Sequence, residues 1–252
     1  MLRRIYAVAV RNLWQARKDV GLIVESIFFP VGTLVIIKYA FSQMEEGSSY
    51  TLESREMILG LIALQIYFQT YLMGALALVR ERVGGTLERM FTYPIRKVEI
   101  VVGYLIGFSL LGMLQTVYVL ILSYFLFNDI EIALSPRLWL LAPTAILLVF
   151  TAIGISALIS GFAKSESQAL QFIPLVVIPA LLLSGIFYPV ELFSPWMQKC
   201  SYLIPLTYAI DSLREVLFEQ ADFYDIAPDL LGMIALGTVT LILGSLTLRK
   251  AN

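Results

Sequence analysis

The chain has 252 residues, of which 59% are hydrophobic and 15% charged, with a formal net charge of −1 and a mean hydropathy of +0.82. A water-soluble domain is about half apolar and a quarter charged, so the surplus apolar residues call for lipid as their solvent, and no polar stretch is long enough to be a soluble domain of its own. So small a net charge recruits no polyanion. The absence of histidine removes the commonest metal ligand and general acid–base, and the single cysteine, Cys200, excludes an internal disulfide.

At the N-terminus, Leu2, Ile5, Tyr6, Ala9, Leu13 and Trp14 recur at steps of three and four, with Arg4, Arg11, Gln15 and Lys18 on the other side. Residues 1–18 therefore read as an amphipathic helix lying in the inner headgroup layer, with Trp14 at the interface. A plain anchor and a contact with a cytoplasmic partner are both open. The apolar run from Gly21 to Ala40 is longer than a signal-peptide core, which marks it as a retained first span.

Six windows are long and apolar enough to cross a bilayer: about 20–41, 57–79, 100–127, 138–162, 169–188 and 230–248. The expected fold is an all-α membrane protein, one domain over residues 1–252. Thirteen of the 18 Lys and Arg residues fall in the N-terminal segment, the second and fourth loops and the tail; the opposite side has Arg55, Arg137, Lys199 and Arg214, and Lys38 lies inside the first span. This bias places both termini in the cytoplasm.

Within the first span, Glu25 is an ionisable group where burial against lipid costs several kcal/mol. It either faces headgroups at the inner boundary or, together with Phe29 and Gly32 on the same helical face, lines a pathway. Lys38 reads as a snorkelling side chain.

The loop RERVGGTLERMFTYPIRKVE, from Arg80 to Glu99, carries more information. Gly84 and Gly85 break the helix leaving the second span, and Thr86 can cap a new one. Leu87, Met90 and Phe91 share a face, Glu88 and Arg89 point elsewhere, and Pro94 ends the turn. Its apolar face would rest on lipid or plug into a groove on a soluble subunit.

Between the fifth and sixth spans, Pro189, Pro195 and Pro205 preclude a regular spanning helix. Phe187, Tyr188, Trp196, Tyr202 and Tyr208 nonetheless make the stretch too apolar for an exposed loop. Irregular backbone at membrane depth survives when buried in protein or lining a cavity, so short re-entrant helices forming an outer gate are expected; an interfacial aromatic belt is the other reading.

No G-x-x-x-x-G-K-[ST] phosphate loop occurs, so the chain is not expected to hydrolyse ATP. No catalytic residue, metal cluster or nucleic-acid-binding face is visible.

Two stretches resemble a known family. R-E-R-x-x-G-T-L-E-R-M-x-x-x-P at Arg80–Pro94 is similar to the loop after the second span of type-2 ABC transporter permeases. LLLSGIFYPVELFSPWMQKCSYLIPLTYAIDSLREVLF at Leu181–Phe218 resembles the same family's region after the fifth span. The resemblance implies a permease subunit without its own ATPase site, paired with a second permease as homodimer or heterodimer. It also implies two copies of an ABC ATPase subunit beneath, which carry the ATP and Mg, and a prokaryotic cytoplasmic membrane as location. It assigns Glu81, Gly85, Thr86, Leu87, Glu88, Met90, Phe91 and Pro94 to ATPase coupling. It assigns Phe187, Tyr188, Pro189, Pro195, Trp196, Tyr202, Pro205 and Tyr208 to the outer gate. The multidrug and lipid branch of the family suggests an amphiphilic cargo, with polysaccharide as the alternative. A secondary transporter or channel would need ionisable residues at mid-membrane or an internal repeat; the sequence offers only Glu25 and Lys38, both near span ends.

Overall fold

The computed structural model describes residues 2–42, 52–86, 89, 97–127 and 138–247. Ten helices are defined here: α1 (Leu2–Lys18), α2 (Val20–Ser42), α3 (Leu52–Val83), α4 (Lys97–Leu126), α5 (Leu141–Ser160), α6 (Glu166–Gln171), α7 (Ile173–Leu183), α8 (Pro195–Ser201), α9 (Pro205–Leu217) and α10 (Ala227–Thr247). No strand occurs among the described residues. The six stretches suited to crossing a membrane lie in α2, α3, α4, α5, the α6–α7 pair and α10. The fifth starts at Glu166 and ends at Leu183, several residues earlier than hydropathy alone suggests. The reason is local: Ser165 caps α6 by accepting from the Gln168 amide, and Gly185, at φ +88°, turns the chain just after α7.

α3 is the axis. Of its spanning residues 78% are buried, against 17% for α2 and 11% for α6–α7. Around it pack α2, α4, α5, α6, α7 and α9, while α10 lies on the far side of α5. Tyr67 and Tyr71 of α3 sit in the core with Leu34, Val149 and Leu206. At 1.5 Å per residue, α3 (32 residues) and α4 (30 residues) run about 48 and 45 Å, well beyond a hydrocarbon core of about 30 Å. α3 ends and α4 begins at the end carrying Arg80 and Lys97, called here the basic end.

Between helices that share a hydrocarbon solvent, close backbone approach and dispersion take over from the hydrophobic effect. α5 and α10 meet in this way: a Cβ on Gly244 would fall 2.9 Å from the Leu158 nitrogen, and one on Gly237 would strike the Phe150 ring at 2.4 Å.

The same device holds α1 on α4. A Cβ on Gly103 would lie 2.6 Å from the Val8 Cβ, and one on Gly107 would lie 3.1 Å from the Asn12 Cβ. This divides the apolar side of α1. Ile5, Val8, Ala9, Asn12 and Ala16 are buried, whereas Leu2, Tyr6 and Trp14 point outward. The single lipid-facing stripe read from periodicity is thus two surfaces, one against α4 and one left for lipid.

Gly103→Leu should force these helices apart. A loss of about 1–3 kcal/mol is expected, as for other overpacked contacts, together with faster tryptic cleavage in α1. Unchanged melting and cleavage would show that α1 does not depend on this contact.

Candidate functional site

One turn of α3 at the basic end carries Arg80, Glu81 and Arg82 in succession. Successive helical residues point about 100° apart, so the three side chains reach three different neighbours. Arg80 pairs with Asp19, between α1 and α2, and its Nε donates to Glu166 at the start of α6 at 2.8 Å. Glu81 accepts from Arg11 of α1, at 2.5 and 2.6 Å, and from the Tyr104 hydroxyl of α4. Arg11 also reaches the Tyr104 oxygen at 2.6 Å and lies 5.7 Å from its ring centre. Arg82 donates to the carbonyls of Ser160 and Gly161 at 2.9 and 2.8 Å. Those are the orphaned acceptors at the C-terminal, negative end of α5, where a cation is favoured. A fourth contact, Arg4 to the buried Glu99 at 3.6 Å, fastens the first turns of α1 and α4.

This collar is followed at once by the helix break expected from Gly84-Gly85. The Gly84 amide bonds back to the Arg80 carbonyl at 2.8 Å, and Gly85 takes φ +68° with open space around it. Backbone conformation therefore selects glycine there, as at the end of many helices. Thr86 is helical, and the Arg89 amide closes onto the Gly85 carbonyl at 3.1 Å, so a new turn begins. Leu87, Glu88, Met90, Phe91 and Pro94 lie outside the described residues. Glu81, grouped with them by resemblance, turns inward onto α1 and α4.

Of the proposed pathway residues of α2, Glu25 and Phe29 reach α3. Glu25 lies beside Gln69 of α3, and the Phe29 ring lies 5.3 Å from that of Phe68. Gly32 faces open space. Sequence reading passed over the partners: Gln65, Gln69 and Thr70 are buried in α3, and each keeps a polar atom without a partner. Two glutamines four residues apart in an apolar span were the available signal. An apolar cavity of about 660 Å³ lies elsewhere, between α3, α4, α5 and α9; Ile62, Tyr124 and Leu148 line it together with Thr116, Ser123 and Thr144.

At the end of α3 opposite the basic end, α8 and α9 form a small cap. Pro195 and Pro205 occupy first-turn positions of these helices, where a missing amide costs nothing. The Tyr208 hydroxyl donates to the Tyr202 carbonyl at 2.9 Å, and a Cβ on Gly232 of α10 would meet the Tyr208 ring at 2.4 Å. Pro205 is buried and Tyr208 half-buried; Phe187, Tyr188, Pro189, Pro195, Trp196 and Tyr202 face outward. The clamp is Arg214 of α9, which donates to Glu56 of α3 at 2.9 Å and to the Gly185 carbonyl at 3.3 Å. Ser212 donates to Asp229 of α10 at 3.1 Å. Burial, reinforced by the Asp229 charge, pushes the Asp211 carboxyl up to about 7. Glu191 and Glu215 add to this, and Arg214, at 3.9 Å, opposes it.

A family model described as ABC-2 type transporter matches residues 3–218. The linearmycin resistance permease protein LnrN of Bacillus subtilis is 26% identical over 73% of this chain and 47% of its own length. The probable multidrug ABC transporter permease YbhR of Escherichia coli is 25% identical over 64% of this chain and 43% of its own. The inner membrane transport permease YadH of Escherichia coli is 21% identical over 84% of each chain. The chain thus spans less than half the length of the first two.

Removing one member of a buried pair leaves a charge without compensation, at a cost of about 3 kcal/mol, whereas replacing all members by apolar groups is far milder. Arg11→Ala should therefore melt lower than the triple variant Arg11→Met, Glu81→Leu, Tyr104→Phe; the reverse order would show that α1 is not held by this pair.

The Asp211 pKa of about 7 exceeds the roughly 3.9 of an unfolded chain. Its contribution to stability is therefore complete below the unfolded value and lost as pH rises through 7. Asp211→Asn should flatten the fall in melting temperature across that window and melt higher than the unsubstituted chain above it. An unaltered slope would assign the dependence to Asp229 or to Glu215, whose carboxyl is likewise pushed up by burial.

Proposed function

The chain belongs to the ABC-2 type transporter family, and from that membership we propose that it is the permease subunit of an ATP-binding-cassette exporter. In this reading it is driven by two copies of a separate ATPase subunit that hold ATP and Mg, and it pairs with a second permease in a prokaryotic cytoplasmic membrane. The basic end faces the cytosol, as the Lys/Arg bias requires. The cargo is an amphiphile, drug-like or lipid-like. The names of LnrN and YbhR, the apolar spans, and a cavity lined by aliphatic and aromatic side chains with a few hydroxyls support that class.

The observation that carries the reading is the collar. Closure of the ATPase pair would press on the segment after Gly85. The load enters α3 at Arg80–Arg82, a turn bonded to α1, the α1–α2 junction, α4, α5 and α6. These elements then shift together, as packed networks do when they switch between discrete arrangements. Glu81 acts here as the bond that makes α1 follow α3. At the other end of α3, Glu56 holds Arg214 of the cap, so movement of α3 reaches the outer mouth directly. Glu25, Phe29 and Gly32 would line the route between the two permeases, with Gln69 behind Glu25 in the protomer core.

In proteoliposomes, the permease with its ATPase should extrude a fluorescent amphiphile only when MgATP is supplied on the basic-end side. A variant ATPase lacking its phosphate-loop lysine should abolish extrusion. Equal flux through the isolated chain without nucleotide would overturn the proposal and favour a secondary transporter or channel.

A further inference from the structure

A second cavity, of about 360 Å³, opens between α1, α2, α3 and α4 and shares no lining residue with the larger apolar cavity. Its walls are apolar: Leu13 on α1, Ile23 and Ile27 on α2, Met73 on α3, and Leu111 and Leu114 on α4. Along α4 the groove runs from Leu111 to Tyr118, about 10 Å at 1.5 Å per residue.

Two polar features make it more than an uncovered apolar face. The first is Arg17, which lines the cavity at the C-terminal turn of α1. Its guanidinium carbon lies 5.6 Å from the centre of the Trp14 ring, and both side chains are exposed. The acid nearest in sequence, Asp19, is engaged by Arg80. Among the described residues no carboxylate is paired with Arg17, so its charge remains available. The second is Gln115, 7% exposed, which also lines the cavity and whose Nε2 is buried without an acceptor. A buried amide donor with nothing to donate to is costly unless something absent from the protein itself supplies the oxygen.

We propose that this groove binds an anionic glycerophospholipid of the inner leaflet. The phosphate sits on Arg17 beside Trp14, one acyl chain lies along Ile23, Ile27, Leu111 and Leu114, and Gln115 donates to a carbonyl of that lipid. The occupant follows from charge and place. A basic amphipathic helix beside a transmembrane pocket attracts anionic lipid, which is abundant at the cytoplasmic surface, and a tryptophan with an arginine marks the interface on which a headgroup rests. The lipid would wedge between α1 and α2 and set the angle at which α1 meets the collar. The site rests on the cytosolic placement of the basic end, but not on the cargo or on ATP.

The test uses the purified full-length chain in nanodiscs of equal phosphatidylglycerol and phosphatidylcholine, with retained lipids read by native mass spectrometry after mild delipidation. One interfacial cation is worth about 1 kcal/mol toward an anionic lipid, so the unsubstituted chain should retain phosphatidylglycerol about fivefold over phosphatidylcholine. Arg17→Ala should bring the two to parity, and Arg17→Lys should restore most of the preference. Gln115→Leu should lower retention of both lipids, and Leu114→Trp, which fills the groove, should abolish it. Equal retention of both lipids by the unsubstituted chain and Arg17→Ala would overturn the proposal, leaving non-specific annular lipid only. Displacement of the lipid by excess inorganic phosphate would also overturn it, in favour of a free-anion site. If Leu114→Trp does not yield a monodisperse protein, the Arg17 pair decides alone. No ATPase is present, so failure of the exporter reading would leave this result unchanged.

Discussion

Charged groups at the edge of a bilayer must be satisfied, and in this molecule that requirement is met by one helical turn. Arg80, Glu81 and Arg82 lie where α3 leaves its apolar span. Water competes poorly there, and an unpaired charge is expensive. The solution is to share them among neighbours: a carboxylate ringed by Arg11 and Tyr104, an arginine divided between Asp19 and Glu166, and an arginine on the open carbonyls of α5. Five separate elements thereby become one mechanical body at the end where, in the proposed exporter, the ATPase would press. The glycine-broken segment that follows is joined to this body with no intervening linker.

Much of the architecture was legible in the amino-acid order because lipid imposes it directly. A span must be long and apolar, so six windows follow from counting. The boundaries of the fifth were less legible, since Ser165 and Gly185 set them through capping and turn geometry while hydropathy is blind to both. Periodicity identified α1 as amphipathic but could not tell protein from lipid as the apolar neighbour. That distinction depends on Gly103 and Gly107, almost a hundred residues away in the chain. Glu81 illustrates the same limit: a motif locates the residue, while the direction of its side chain is decided by which helices stand beside it. The buried Gln65 and Gln69 escaped notice because each is an ordinary polar residue in an otherwise apolar run, and only their shared face toward Glu25 makes them a group.

The two ends of α3 use the same chemistry for different purposes. At the basic end the ion pairs are numerous and join many elements. At the opposite end, among the described residues, the Arg214–Glu56 contact is joined by a backbone carbonyl and by Asp211, and burial together with the surrounding acids raises the proton affinity of Asp211. In the proposed exporter, strength would thus be concentrated where movement is received, and adjustability where the cap releases.

The length of α3 also has a temporal implication. A stiff rod more than forty ångströms long converts a slight inclination at its root into a displacement of several ångströms at its tip. A charge-assisted hydrogen bond weakens steeply once its partners separate beyond about 3.2 Å. The guanidinium and carboxylate at the tip therefore cannot follow the rod by stretching; they hold or they let go. In the proposed exporter, opening of the mouth would accordingly be abrupt, with a definite threshold of tilt, and would reset just as sharply when the rod returns.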